Sequence, residues 1–293
     1  MRIYHLSLVC FSLLFTQALS DYPFNTAHSS SLAGATVSNK GGTWSLYHNP
    51  ATLVELNKSS ISLGRSNLYN QNFLPLSTIS LIVSKYKLNF GIKFSSLTVT
   101  NNDVDLLKEN LIGFATGFYL LNDKNSTLSL GMSANYNIIN FGPSAGTSGD
   151  GSDGFNIDVI NSFGLDISLL ATLREKNRLG VVIKNINSPT IGNGMSNQNL
   201  PRTIQIGLTT IPNKIMEVSF AAEQLLGYND PQYRTAVQYR LNNFLFLNAG
   251  IQINPNRLGL GFNIQKNKFN ISYGYLTHHV LPGTHQFNFS IYY

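Results

Sequence analysis

Apolar and polar residues alternate along most of the chain after residue 57, and this alternation constrains the fold more than any other feature. In the segment STLSLGMSANYNII, every second residue from Leu128 to Ile138 is apolar or aromatic, and the residues between them are Ser, Gly or Asn. The same pattern recurs at residues 88–94 and 258–264. Because successive side chains of a strand point to opposite faces, these segments are predicted to be strands with one apolar and one polar face.

About fourteen such strands are predicted, separated by turn-forming residues. They lie near residues 58–69, 75–84, 86–97, 110–121, 126–141, 162–172, 175–186, 201–211, 213–225, 231–241, 243–252, 256–265, 267–278 and 283–293. The links after even-numbered strands are short and polar, whereas many links after odd-numbered strands are long, such as TNNDVDLLKEN before residue 110. Short turns at one end and long loops at the other are typical of an outer-membrane β-barrel.

Composition separates a membrane barrel from a soluble sandwich, which also alternates. Charged residues make up 12% of the chain, whereas roughly 25% is usual in a soluble domain. The polar faces carry mainly Gly, Ser, Asn and Gln, and strands of about ten residues are long enough to cross a bilayer at a tilt. We therefore predict an all-β fold, a transmembrane antiparallel β-barrel over residues 58–293 in the bacterial outer membrane.

The first residues, 1–20, are predicted to be a secretory signal peptide. A weakly basic start precedes the apolar run LSLVCFSLLF, and ALS before Asp21 fits a cleavage site. Cys10 is the single cysteine and lies within this run, so no disulfide is expected in the mature chain. No later apolar run is long enough for a transmembrane helix.

Residues 21–57 do not alternate and are predicted to form a plug of turns and short helices that begins on the short-turn side. An irregular segment cannot face lipid, because its peptide groups would lack hydrogen-bond partners, so it is expected inside or beneath the barrel. Asn49 is predicted to cap a helix that begins at Pro50. The residues assigned to this plug are Gly34, Gly41, Gly42, Trp44, Tyr47, Asn49, Pro50 and Ala51.

Alternation also assigns charged residues to the lumen and aromatic residues to the lipid face. The predicted lumen charges are Lys93, Asp166, Lys184, Glu223, Arg234 and Arg240. Two roles stay open for them: they hold the plug, or they solvate a channel and pair with one another. The final strand places Phe287, Phe289, Ile291 and Tyr293 on one face, which predicts a signal read by the outer-membrane assembly machinery; the alternative is an ordinary aromatic strand end.

Other motifs indicate neither an enzyme nor a metal site. His278, His279 and His285 lack a nearby Cys or carboxylate, so they are interpreted as polar residues at the extracellular rim. The segment GDGSDGFNID at 149–158 lacks ligands where a calcium loop requires them. The net charge of +6 comes from scattered residues rather than a basic cluster. No catalytic residue, cofactor, metal or nucleic-acid partner is therefore expected.

Three stretches resemble a known family. The pattern AGA…GG…W…YHNPATL resembles the opening of the PorV/PorQ group within the FadL-like superfamily of outer-membrane β-barrels, including its Asn-Pro-Ala turn. NLPRTIQIGLTTIP at 199–212 resembles that group's Leu-Pro start of a mid-barrel strand, and residues 273–293 resemble its closing hairpin. This chain lacks the acidic residues that usually precede the aromatic residue in the first motif.

The resemblance implies two functions. A PorV/PorQ-type protein would be an accessory of type IX-like protein secretion, with residues 143–161 and 187–200 contacting secretion components or secreted cargo. A FadL-like protein would instead transport hydrophobic small molecules, with residues 34–53 as a gate. Tight packing of the plug favours the first function, and a continuous apolar pocket in the lumen favours the second. Outer-membrane lipid and the assembly machinery are expected partners in both cases.

Overall fold

The computed structural model describes residues 24–85, 88–101, 104–143, 147, 153–155, 159–192, 198–227 and 230–293. The predicted signal peptide, 1–20, lies outside these residues. Most of residues 144–158 and all of residues 193–197 also lie outside them, so the predicted contact loops are described only in part.

Within the described chain, fourteen antiparallel strands close into one barrel, which confirms the predicted fold. Closure comes from pairing between the first and last strands, with Ser60 opposite Tyr292. The barrel strands are β1 (Ser60–Asn67), β2 (Pro75–Lys85), β3 (Leu88–Asn101), β4 (Val104–Asn122), β5 (Ser126–Phe141), β6 (Ile160–Leu173), β7 (Asn177–Lys184), β10 (Thr203–Asn213), β11 (Met216–Leu225), β12 (Gln232–Arg240), β13 (Leu245–Ile253), β14 (Arg257–Lys266), β15 (Phe269–Leu276) and β16 (Thr284–Tyr292). Two short strands, β8 (Thr190–Ile191) and β9 (Gln198–Asn199), pair only with each other. A closed barrel leaves no strand edge unpaired in the membrane.

One wall of the barrel is taller than the rest. Strands β4 and β5 contain 19 and 16 residues, whereas β15 and β16 contain 8 and 9. The prediction of a long loop between residues 97 and 110 is wrong, because β3 and β4 continue there as a paired hairpin with Thr98 opposite Lys108. The polar segment TNNDVD is typical of a turn, but Thr100 pairs with Asp105 and Asn101 with Val104, after a shift of register between Val99 and Thr100.

The outer surface of the barrel is apolar, and the lumen surface is polar. On β1 the outward residues Ile61 and Leu63 are 44% and 50% exposed, whereas Ser62 between them is 5% exposed. Apolar side chains on the outside of a closed barrel require lipid as their solvent, which places the protein in the bacterial outer membrane. Among the described residues, no helix has the length and apolar character to cross a membrane.

The lumen holds residues 24–57, which we name the interior segment. It contains α1 (Ala27–Ser31), α2 (Ser45–His48) and a 3-10 helix over Pro50–Glu55. Its described start lies at the long-loop end, where Phe24 clusters with Leu68 and Leu276. The expectation that the segment begins on the short-turn side is therefore wrong for the described residues, because the apolar ring of Phe24 finds its apolar partners at the opposite end.

Candidate functional site: the occupied lumen

The backbone of the interior segment lies directly against glycines of the barrel wall. A Cβ atom on Gly274 would lie 2.2 Å from the carbonyl oxygen of Ala27, and one on Gly131 would lie 2.1 Å from the amide nitrogen of Ala51. Real Cβ atoms do not approach this closely, so only glycine permits the contact. Other lumen glycines approached in this way are Gly117, Gly180, Gly250 and Gly259.

Polar lumen side chains bind the backbone of the interior segment. The amide of Ala27 donates to Asn288 Oδ1 at 2.6 Å, and Ser129 Oγ donates to the carbonyl of Ala51 at 2.9 Å. Asn89 Nδ2 donates to the carbonyl of Leu53 at 2.6 Å. The polar lumen face therefore supplies the partners that irregular peptide groups need when they are buried.

The Asn-Pro-Ala turn joins α2 to the 3-10 helix. Asn49 Oδ1 accepts a hydrogen bond from the amide of Ala51 at 3.0 Å, and Asn49 Nδ2 donates to the carbonyl of Val37 at 2.6 Å. Pro50 occupies the first position of the helix, where its missing N–H costs no intrahelical hydrogen bond. The amide of Ala51 also donates to Ser168 Oγ on the wall at 3.0 Å, so one turn links two parts of the interior segment to β6.

The glycines of the predicted plug lie at bends of the interior segment. Gly34 has a φ of +81°, a conformation that favours glycine. The amide of Gly41 donates to Glu55 Oε2 at 2.7 Å, and the amide of Gly42 donates to Ser45 Oγ at 3.0 Å. These contacts bring the bend at residues 41–42 against the helices that follow it.

The two aromatic residues of the predicted plug have different surroundings. The Trp44 ring stacks on His28 with the ring centres 3.8 Å apart. Tyr47 is buried, with its hydroxyl 2.8 Å from the carbonyl of Ile79 and 2.9 Å from that of Phe94. Tyr47 thus contacts the barrel wall, whereas Trp44 contacts another part of the interior segment.

Two of the predicted lumen charges contact the interior segment. Lys93 Nζ donates to the carbonyl of Leu46 at 2.8 Å. Arg234 forms an ion pair with Glu223 at 2.8 Å, and its guanidinium carbon lies 5.9 Å from the centre of the Phe24 ring. Charged wall residues therefore contact the interior segment and also pair with one another.

The remaining predicted charges lie against the wall or the rim. Asp166 accepts hydrogen bonds from Ser133 at 2.8 Å and from Asn135 at 2.6 Å. Lys184 is partly exposed at the end of β7. Arg240 lies at the short-turn rim, where its guanidinium donates to the carbonyl of Asn242 at 3.3 Å. Among the described residues, no hydrogen bond or ion pair joins these three side chains to the interior segment.

An ion pair between the wall and the interior segment was not predicted. Arg178 Nη1 lies 2.7 Å from Glu55 Oε1, and the two side chains are 5% and 15% exposed. Arg178 also donates from Nε to the carbonyl of Ser38 at 2.7 Å. Arg178 and Lys184 are an even number of residues apart on β7 and so lie on the same face of the strand. This spacing is the sequence signal that could have assigned Arg178 to the lumen.

An apolar cluster inside the barrel was also not predicted. It lies at the long-loop end, among the tops of β2, β3 and β15. Its buried members are Phe24, Ala33, Leu68, Leu76, Leu97 and Leu276, with Tyr69 and Leu74 packed against it. Two other apolar clusters lie inside the barrel, one around Leu32, Val37 and Val182 and one around Leu46, Leu53 and Ile82.

The aromatic residues of the last strand and His285 face away from the occupied lumen. Phe287 and Phe289 are 56% and 39% exposed on the outer face, and Tyr293 follows β16. His285 lies 2.8 Å from the Tyr273 hydroxyl on this outer face, and His278 Nδ1 accepts from the amide of Leu281 at 2.9 Å. Among the described residues, no group of three or more His, Cys, Asp or Glu side chains is arranged to bind a metal.

The fold and the occupied lumen define an outer-membrane β-barrel that holds its own N-terminal segment. No protein-family model matches the chain, and no curated protein matches it. Solved structures do match. The CymD monoaromatic hydrocarbon channel is similar with a TM-score of 0.61 at 13% identity, over 91% of this chain and 96% of that chain.

Two further solved structures share the fold over almost their whole length. The Pseudomonas putida toluene transporter TodX has a TM-score of 0.61 at 13% identity, over 91% of this chain and 96% of TodX. A Pseudomonas aeruginosa FadL homologue has a TM-score of 0.55 at 11% identity, over 92% and 98%. The comparisons support a FadL-like fold and give no support to the narrower PorV/PorQ resemblance.

Proposed function

We propose that this protein transports hydrophobic small molecules across the outer membrane, with the interior segment as its gate. The observation that carries the proposal is the apolar cluster at the long-loop end, where Phe24, Leu68 and Leu276 are buried inside the barrel. A hydrophobic molecule gains free energy when it leaves water for such a surface. Two proteins of similar fold, CymD and TodX, are a monoaromatic hydrocarbon channel and a toluene transporter, which supports the same function.

Transport through this lumen requires the interior segment to move. Its backbone lies against the wall at Gly117, Gly131 and Gly274, and these contacts leave no room for a solute to pass at these positions. A molecule captured at the apolar cluster therefore passes only after part of the segment is displaced. The polar contacts described above can re-form when the segment returns.

Uptake of radiolabelled toluene by a bacterial host that lacks its own hydrocarbon channel tests the proposal. Cells that produce the protein should accumulate toluene faster than cells with the empty vector, and should accumulate radiolabelled glucose no faster. Leu276→Asn places a polar group in the apolar cluster and should lower toluene binding by the purified protein roughly tenfold.

The matched control is Leu170→Asn. Leu170 is also buried, with 1% exposure compared with 3% for Leu276, but it lies outside the apolar cluster. The control should assemble with a similar cost and keep the toluene affinity of the parent. If the parent takes up no more toluene than the empty vector, or if both substitutions lower affinity equally, the proposed transport function is wrong.

A role in protein secretion is the second candidate, because one observation favours it. The interior segment packs tightly on wall glycines, and a fixed plug suits a protein that presents its loops to partners. Residues 143–161 and 187–200 would be the contact loops, and secretion components or secreted cargo the partners. Purification from native membranes in mild detergent separates the two candidates: co-purified secretion components favour this one, and a bound hydrophobic ligand favours transport.

A further inference from the structure

The two ends of the barrel carry different exposed charges. Among the described residues, the long-loop end has three exposed cations and three exposed acids, namely Arg65, Lys108, Arg202, Asp105, Asp153 and Asp230. The described part of the short-turn end has nine exposed cations but only two exposed acids, Asp123 and Glu175. A surface that needs only to be soluble can mix both signs, so this excess of cations indicates an anionic partner.

The nine cations form two groups, which differ in their position relative to a cavity. The cavity has a volume of about 700 Å³ and lies at the short-turn end beside Trp44. Three of the nine cations line it, and we name them the mouth cations: Lys40, Lys58 and Lys214. The other six lie outside its lining, and we name them the outer rim: Lys85, Lys124, Arg174, Lys176, Lys266 and Lys268. The cavity is also lined by the partly buried Arg240 and by Glu55 and Glu217, so acidic side chains accompany the mouth cations.

The outer rim follows the circumference of the barrel. Its six cations belong to four short turns, those between β2 and β3, β4 and β5, β6 and β7, and β14 and β15. Strands β14, β15, β16 and β1 to β7 are consecutive neighbours in the closed barrel, so the outer rim extends along ten of the fourteen strands. These cations are scattered in the sequence, and closure of the barrel brings them to one end.

The outer rim lies at the border of the lipid-facing surface. Leu173 is 52% exposed on the outer face and directly precedes Arg174, and Phe269 is 51% exposed on the same face and directly follows Lys268. Long basic side chains beside such apolar residues place their charges at the level of the lipid headgroups. The outer rim is therefore within reach of the phosphates of the surrounding leaflet.

We propose that the outer rim binds anionic phospholipids of the periplasmic leaflet through their headgroup phosphates. The short turns of outer-membrane barrels face the periplasm, and an anionic leaflet attracts Lys and Arg side chains near its surface. A leaflet surrounds the barrel as the outer rim does, whereas a soluble acidic partner would cover the end of the barrel and meet the mouth cations as well. The outer rim shares no residue with the apolar cluster at the long-loop end, so this inference does not rest on the proposed transport function.

Electron paramagnetic resonance of spin-labelled lipids measures this preference. The purified full-length protein is reconstituted into phosphatidylcholine vesicles that contain a trace of spin-labelled phosphatidylglycerol or of spin-labelled phosphatidylcholine. Lipids in contact with the barrel move more slowly than the others, so the slow fraction gives their relative affinity. Phosphatidylglycerol should be preferred roughly threefold at low salt, and the preference should disappear in 1 M sodium chloride, where the Debye length is about 3 Å. Sodium phosphate at the same ionic strength should have no larger effect than sodium chloride.

Two triple variants test which cations are responsible. The outer-rim variant combines Lys124→Gln, Lys176→Gln and Lys268→Gln, which removes half of the six outer-rim cations and should lower the preference below about twofold. The mouth variant combines Lys40→Gln, Lys58→Gln and Lys214→Gln. It is the matched control, because it changes the net charge equally at the same end of the barrel and also alters only exposed lysines. The mouth variant should keep the preference of the parent.

The proposal fails if the parent shows no preference at low salt, if the preference persists in 1 M sodium chloride, or if phosphate abolishes it at a lower ionic strength than chloride does. It also fails if the mouth variant loses as much preference as the outer-rim variant, a result expected for a soluble acidic partner. Heat-modifiable migration in gels checks that each variant has folded. Arg174→Gln combined with Lys266→Gln repeats the test if the outer-rim variant does not assemble. A negative result leaves toluene uptake unaffected, so failure of this inference is distinguishable from failure of the transport function.

Discussion

The same strands form the lipid face and the lumen face of the barrel wall, but the two faces require different properties of their side chains. On β16, Phe289 is 39% exposed toward lipid and packs on Phe269, whereas the adjacent Asn288 is 8% exposed and binds the amide of Ala27. The lipid face needs only apolar character, because lipid chains adapt to any surface shape. The lumen face must fit one particular segment, so its demand is for shape and for specific hydrogen bonds.

This difference predicts two kinds of tolerance. A charge should be harmful on the lipid face and much less harmful in the lumen, because the lumen offers polar partners. A single added methyl group should be harmless on the lipid face and harmful in the lumen, where wall glycines touch the interior segment. Substitutions at adjacent positions of one strand can test both statements.

The largest effect is expected when the interior segment is removed. Replacing residues 34–53 by a flexible Gly/Ser linker of about ten residues, which can reach about 33 Å when extended, leaves all fourteen barrel strands intact. The remaining lumen is lined by small polar side chains that cannot refill a wide interior, so water should enter. Single-channel steps in planar bilayers should then exceed those of the parent by about an order of magnitude.

Folding and conduction are read separately in this experiment. Heat-modifiable migration should show a barrel for both the linker variant and the parent. A variant that folds and conducts no more than the parent would mean that the segment does not obstruct the pore. The lumen face would then be shaped for a purpose other than closure.

The effect of a charged substitution in the last strand on membrane assembly should depend on whether the residue faces lipid or the lumen. Phe289→Asp places a carboxylate against lipid and should lower the yield of heat-modifiable protein in outer membranes, at a cost of about 2 kcal/mol. Asn288→Asp keeps the oxygen that accepts from the amide of Ala27 at 2.6 Å, so its yield should stay nearer to that of the parent. Equal losses would contradict the difference between the faces.

An added methyl group should be harmful on the lumen face and tolerated on the lipid face, which is the reverse of the effect expected for an added charge. A Cβ on Gly250 would lie 2.3 Å from the carbonyl carbon of Leu32, so Gly250→Ala should destabilise the packed segment by about 1–3 kcal/mol. The neighbouring Ala249 is exposed on the outer face, and Ala249→Val should change stability by less than about 0.5 kcal/mol. Guanidinium titrations followed by Trp44 fluorescence measure release of the interior segment, and a larger shift for Ala249→Val would reverse the comparison.

The sequence predicts the wall well because alternation is a local signal. Residues that share a face of a strand lie two positions apart, so a short window is sufficient to recognise the strand and its two faces. The pattern weakens where polar residues continue a strand, so the sequence around Thr98 and Lys108 predicts a loop although the two residues pair in a hairpin.

Contacts of the interior segment are much harder to predict. Glu55 and Arg178 are separated by 123 residues, and the segment between residues 24 and 57 has no periodicity that fixes its path. The apolar cluster around Phe24 and the cavity beside Trp44 depend on that path. Only the three-dimensional route shows which wall residue meets which part of the segment.

The smallest effect is expected at the start of the 3-10 helix. Pro50 limits the backbone freedom of the turn that Asn49 caps, and its carbonyl lies against Gly117 of the wall. Pro50→Gly keeps the cap and every strand but gives the released segment more conformational freedom. This change should favour the open state by about 1 kcal/mol and increase the open fraction of the channel roughly fivefold.

A second proline is the matched control for this test, because it distinguishes an effect on the interior segment from an effect on the barrel wall. Pro212 is exposed near the end of β10, outside the interior segment, and Pro212→Gly should leave the open fraction at the parent's value. Both variants should have the parent's heat-modifiable migration, because neither alters pairing between the strands. If Pro50→Gly opens no more often than Pro212→Gly, the helix start does not control opening. Closure would then depend on the wall contacts that hold the segment elsewhere, among them the Lys93 bond to Leu46 and the ion pair between Arg178 and Glu55.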